Sequence, residues 1–191
     1  DALPEHAEDR PGVPQGRHVH ALLAGGLHAL CELFPGFDRD LATTGAVPIR
    51  AGLDLRNERP GYDPFPQRDL GFDAYAQSRA QLEWSVRRRV QAHPGIELRQ
   101  QCRAQELVTR PDGEAVTGAR YTTPDGRIET IAADLTVDAT GRGAPTRDVL
   151  ESTGRSQPSE TTIGVDVAYS TVVFAIPEDA STIHRLLGPR L

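Results

Sequence analysis

The sequence has 191 residues, 38% hydrophobic and 25% charged, the composition of a globular chain with ample apolar residues for a core. Its 21 basic and 27 acidic residues give a net charge of −6, which argues against a nucleic-acid partner held by bulk charge. Every basic residue is arginine, so a Walker-A lysine, a kinase-type lysine and Schiff-base chemistry are all excluded within these residues.

No apolar run reaches membrane-spanning length and no signal peptide opens the chain. Cys31 and Cys102 form no C-x-x-C pair, so a reduced, cytoplasmic setting is the default expectation. There is no methionine, and Asp1 therefore follows no initiator. The chain reads as an excerpt, although a processed terminus would look the same.

Residues 1–16 are polar and rich in proline and glycine, which predicts a loop. From about Arg17, Val19, Leu22, Leu23, Leu27, Leu30 and Phe34 recur at helical spacing until Pro35-Gly36 stops them. Residues 37–72 carry prolines and glycines throughout, an extended connection with one short strand around Ala46–Ile49. A second helix is expected with Asp73 as N-cap and Tyr75, Leu82, Val86 and Val90 as its apolar stripe, ending at His93-Pro94-Gly95.

The period then changes to two. Pro-Asp-Gly turns at 111–113 and 124–126 delimit strands at 96–109, 114–123 and 127–134, a β-meander. Leu135–Ala139 reads as a buried strand running into the loop Gly141-Arg142-Gly143. A polar stretch after Gly154 separates a further strand, Ile163 to Ile176, with a domain boundary near residue 157.

Three constellations carry chemistry. Arg79 falls on the apolar stripe of the second helix, where a guanidinium needs an anionic partner. A carboxylate elsewhere in the fold, or a side chain snorkelling out, is the favoured explanation from the helix alone; a phosphate is the sharper one, because the planar fork suits bidentate contacts. Arg87-Arg88-Arg89 reads as a solvated face. His18 and His20 resemble an H-x-H metal pair, but on a helix they would point to different sides, and no metal site is expected. Asp138, within an apolar strand and just before Ala139-Thr140-Gly141, is either a turn or capping aspartate or the border of a ligand crevice.

The order of these pieces adds a resemblance. "RPGVPQGRHVHALLAGGLHALCELFPG", a helix holding "SRAQLEWSVRRRV", a meander and then "ADLTVDATGRGAPTR" together resemble the middle of the FAD-binding oxidoreductases. That superfamily includes para-hydroxybenzoate hydroxylase, tryptophan halogenases and geranylgeranyl reductases. The likeness spans residues 1 to about 176.

What the resemblance implies is an α/β fold: a partial FAD-binding Rossmann-like domain over 1–156 with an inserted three-stranded β-meander, leading into a β-rich substrate domain from 157. The glycine fingerprint and the ribose carboxylate would lie upstream of "DALP". FAD is the implied cofactor, expected for the full-length protein and absent from these residues alone, with NADPH or NADH open as reductant. Arg79 matches the helix arginine near the ribityl or pyrophosphate, the backbone at Arg103 and Ala104 the strand at adenine, and Asp138, Ala139, Thr140 and Gly141 the strand end beside the cofactor. Gln15 would lie on the isoalloxazine side, and His18 and His20 would meet flavin or substrate. The implied activity is a monooxygenase acting on a small organic substrate, or alternatively a reductase of an alkene or prenyl substrate. A metal-dependent hydrolase using His18 and His20, and a non-catalytic interaction module, stay open as other classes.

Overall fold

The computed structural model describes residues 2–11, 13–18, 20–58, 60–141, 145–172, 175 and 184–187. It mixes helices with antiparallel sheets, α/β in the broad sense, and divides into two compact units. One is built on Pro4–Glu97 with the described part of Ala168–Leu191, the other on Leu98–Val167. No helix among the described residues is long and apolar enough to cross a membrane.

The first unit is organised around a short antiparallel sheet. Strand β1 (His20–Leu22) and strand β2 (Val47–Arg50) flank the central β4 (Asp73–Gln77), with Leu22 opposite Tyr75 and Val47 opposite Ala76. Three helices accompany it: α1 (Ala24–Leu33), α2 (Phe37–Thr43) and α3 (Arg79–Gln91). Phe37 and Leu41, one turn apart on α2, are both 0% exposed, and with Leu22 and Ala46 they form the centre of the core. Leu27, Leu30 and Phe34, Tyr75 of β4, and Leu82 and Val86 of α3 pack around it. A further strand, β3 (Leu55–Glu58), pairs in parallel with the backbone of β8 (His184–Leu187).

The second unit is the expected meander: β5 (Arg103–Thr109), β6 (Val116–Thr122) and β7 (Ile128–Ala132), antiparallel in that order. The two Pro-Asp-Gly turns close the hairpins where the sequence places them. Gly118 of β6 has no alternative, because a Cβ there would stand 2.0 Å from the Ile131 carbonyl oxygen. Helix α4 (Pro145–Ser152) contacts β5, and Arg155 just beyond it donates to the Gly113 carbonyl at 2.6 Å.

Several expectations are corrected. The first helix starts at Ala24, not Arg17, because His20–Leu22 gives its hydrogen bonds to a ladder with β4. Asp73 is no N-cap and Tyr75 is no helix residue: both lie on β4, and Ser78 caps α3 by accepting from the Gln81 amide at 3.1 Å. The stretch 37–72 contains α2 and β3 as well as the expected short strand. The first meander strand begins at Arg103 rather than 96, after Gln101 turns the chain with a φ of 57°. Leu135–Ala139 joins no ladder, and Leu135 and Val137 are 80% and 76% exposed, so among the described residues this segment is not a buried strand. The described part of Ile163–Ile176 is likewise unpaired, its remaining residues lying outside the described ones, as do 142–144 of the glycine loop. Nor is Arg87-Arg88-Arg89 a uniformly solvated face. Arg87 donates to the Pro4 carbonyl at 2.5 Å, Arg88 lies 4.9 Å over the Trp84 ring, and Arg89 is ion-paired with Asp40 of α2.

Candidate functional site

The entrance of α3 gathers most of the candidates in the first unit. Arg79 is the first helical residue after the Ser78 cap. Its Nε donates to Glu83 Oε1 at 3.0 Å, one turn along, and Arg10 Nε donates to the other carboxylate oxygen at 2.9 Å. Partial burial pushes the Glu83 carboxyl up, but the hydrogen bonds and charges of Arg10 and Arg79 outweigh it and hold the group below its ordinary range. Arg79 therefore has a carboxylate partner, but on its own helix and not elsewhere in the fold as the sequence alone favours, because the i,i+4 spacing already places Glu83 within reach. Its side chain is 42% exposed. The terminal nitrogens of Arg10 and Arg79 bond to no described residue.

Further polar groups lie on β1, on β4, on α3 and in the turn before β1. His20 lies opposite Gln77 in the β1–β4 ladder, and both polar atoms of the Gln77 amide and Nε2 of Gln81 are buried without a partner among the described residues. Unsatisfied buried amides are costly and ask for a ligand, a water or a rearranged neighbour. The 3₁₀ turn Pro14–Arg17, which carries the exposed Gln15, contacts α3. His20 Nδ1 donates to the His18 carbonyl at 2.8 Å, which fixes its tautomer and leaves Nε2 unprotonated in the neutral ring. His18 Nδ1 lies 2.9 Å from Thr171 Oγ1, with the Tyr169 ring edge-on at 6.5 Å. Each imidazole is thus oriented by a protein group of its own. No group of three or more His, Cys, Asp or Glu residues that could hold a metal occurs among the described residues.

The other candidates belong to the second unit. Arg103 and Ala104 open β5, opposite Thr122 and Tyr121, and the register slips just after them, between Ala104 and Glu106. Asp138 makes four hydrogen bonds. Oδ1 accepts from the Thr140 amide and hydroxyl at 3.0 and 2.7 Å, and Oδ2 from the Thr146 amide and hydroxyl at 3.2 and 2.6 Å. This is the capping arrangement: one carboxylate closes the turn and caps the start of α4. Between them Gly141 adopts a φ of 72°, a left-handed conformation that glycine takes at no steric cost.

The Thr146 hydroxyl and then the Thr140 amide and hydroxyl lower the Asp138 carboxyl from 3.8 to about 2. Because the folded carboxyl is more acidic than the unfolded one, the pinning is fully in force above about pH 4 and is lost as pH falls through about 2. Hydrogen exchange at the Thr140 and Thr146 amides should stay protected down to about pH 3. Protection lost already at pH 4 would show that the carboxylate does not hold the loop.

Two cavities in the first unit were not visible in the sequence, since residues distant along the chain line them. One of about 750 Å³ is bounded by Cys31, Asp38, Phe72, Asp73 and Tyr75. Burial, with Asp38 and Asp73 nearby, pushes the Tyr75 hydroxyl up. The other, of about 410 Å³, lies between α2 and α3 and includes Ser85, 3% exposed, whose hydroxyl has no partner among the described residues. A serine beside Leu82 and Val86 on the buried side of a helix is the signal that could have marked it.

No family model matches the chain. It is similar to Protein Rv3254 of Mycobacterium tuberculosis (strain ATCC 25618 / H37Rv), 34% identical over a gapped alignment of 197 positions that takes in 93% of this chain and 39% of the relative. The chain thus spans about two fifths of the length of the curated relative it matches.

Proposed function

We propose that this chain supplies part of the FAD-binding region of a flavin-dependent oxidoreductase, with a monooxygenase acting on a small organic substrate as the leading activity. The observation that carries the reading is the entrance of α3. Two guanidinia share one carboxylate, leaving a net positive charge, and each uses its Nε, so among the described residues the terminal nitrogens are left for an anion. Amide groups of Gln77 and Gln81 that have no partner among the described residues accompany them. Charge-assisted donors and orphaned amides suit the phosphates and hydroxyls of a dinucleotide, so the donor set fits FAD.

In this reading Arg79 binds the pyrophosphate or ribityl portion, and Gln15, His18 and His20 face the flavin or substrate. FAD, when bound, supplies the redox chemistry. The chain's own residues hold the cofactor, orient it and exclude water. Arg103 and Ala104 serve the adenine end through backbone, and Asp138 shapes the loop through Ala139, Thr140 and Gly141 rather than touching the cofactor itself, since its oxygens are already occupied. The exposed Leu135 and Val137 gain cover as a strand of a Rossmann-like sheet completed by a longer polypeptide.

The test is flavin absorbance. The complete encoded polypeptide, purified and reconstituted with FAD, should be yellow and show stoichiometric flavin. A protein that stays colourless after reconstitution would sink the reading.

A further inference from the structure

We infer that Glu83 is a positioning residue, whose task is to hold the Arg79 guanidinium by its Nε edge so that the terminal nitrogens stay presented to a bound anion. The inference rests on the flavin reading above and concerns a residue that the resemblance does not assign. Its basis is geometric. Glu83 spends one oxygen on Arg79 Nε at 3.0 Å and the other on Arg10 Nε at 2.9 Å. A carboxylate bridged on both oxygens cannot swing away, so Arg10 locks Glu83 and Glu83 locks Arg79. Glu83 is also the least exposed of the three, while Arg79 is still open to a ligand. A long side chain with many rotamers loses much freedom on binding, and one already held by its Nε loses less.

Positioning and simple electrostatics make opposite forecasts, which makes the inference testable. Glu83 is a negative charge next to an anion site, so on Coulomb grounds alone Glu83→Gln should tighten FAD binding. Under positioning it should weaken binding, because the amide holds neither guanidinium firmly and can turn its own N–H groups towards their donors.

The experiment is an FAD titration of the complete encoded polypeptide by flavin fluorescence, for the wild type, Glu83→Gln, Arg79→Ala and the double variant, with the apo melting temperature of each. Glu83→Gln should weaken FAD binding roughly tenfold, and the double variant should bind no more weakly than Arg79→Ala, since two residues acting through one contact are not additive. A loss that adds fully to that of Arg79→Ala would place the effect in the fold at large and overturn the inference. Unchanged or tighter binding in Glu83→Gln, with a wild type that binds FAD, would overturn positioning and leave the flavin reading standing. A wild type that binds no FAD would overturn both. If Glu83→Gln does not fold, Glu83→Asp replaces it: losing one methylene withdraws the carboxylate from both arginines, and the same outcomes decide.

Discussion

Replacing Phe37 by alanine should destabilise the protein by about 3–5 kcal/mol, the range for emptying a buried aromatic site. Phe37 is 0% exposed on α2, stacked one turn from the equally buried Leu41, with the Phe34 ring 6.2 Å away. Its neighbours come from β1, α1, β4 and α3, so no single element can relax into the space. Urea unfolding measures the effect, and Leu33→Ala is the control. Leu33 is equally hydrophobic but 71% exposed on α1, and its loss should stay within about 0.5 kcal/mol. Equal effects of the two substitutions would mean that the core is not centred on α2.

Arg79→Ala should raise the FAD dissociation constant of the complete encoded polypeptide by about one to two decades, the worth of a charge-assisted contact of about 1.5–3 kcal/mol. The apo protein should hardly notice. Arg79 is partly exposed, its ion pair with Glu83 is an i,i+4 contact, and such pairs contribute only about 0.3–0.5 kcal/mol. Glu83 keeps Arg10 as a partner after the substitution. The contrast separates the two explanations of this arginine. If its whole role is the intrahelical ion pair, FAD affinity stays unchanged while the small stability loss remains. Flavin fluorescence for affinity and thermal unfolding for stability together decide the matter.

The carboxylate partner of Arg79 was within reach of sequence reasoning. Arg79 and Glu83 stand four apart on a helix, the spacing at which side chains meet. Arg10 was not, since 73 residues separate it from Glu83, and its segment comes near only because the chain on either side of it docks on α3, through the Pro4 and Glu5 carbonyls on Arg87 and Trp84 and through the 14–17 turn. The same division runs through the fold. The meander, the short strand near residue 47 and the end of α3 were legible, because Pro-Asp-Gly turns, alternation and His93-Pro94-Gly95 are local signals. Helix α2 was hidden, because seven residues give a single apolar pair one turn apart, and prolines and glycines surround it.

The sequence by itself determined those features whose cause lies within a few residues: turns, helix stops and the absence of lysine chemistry. Tertiary structure decided what depends on partners elsewhere in the chain. His20–Leu22 and Asp73–Gln77 carry apolar residues that suit a helix face, yet they are strands, because each finds the other and forms a ladder. Leu135–Ala139 has strand composition and stays unpaired among the described residues, because a strand is made by its neighbours and not by its own residues. The shared carboxylate at the entrance of α3 is of the same kind: one half was written in a local spacing, and the other half exists only once the chain has folded.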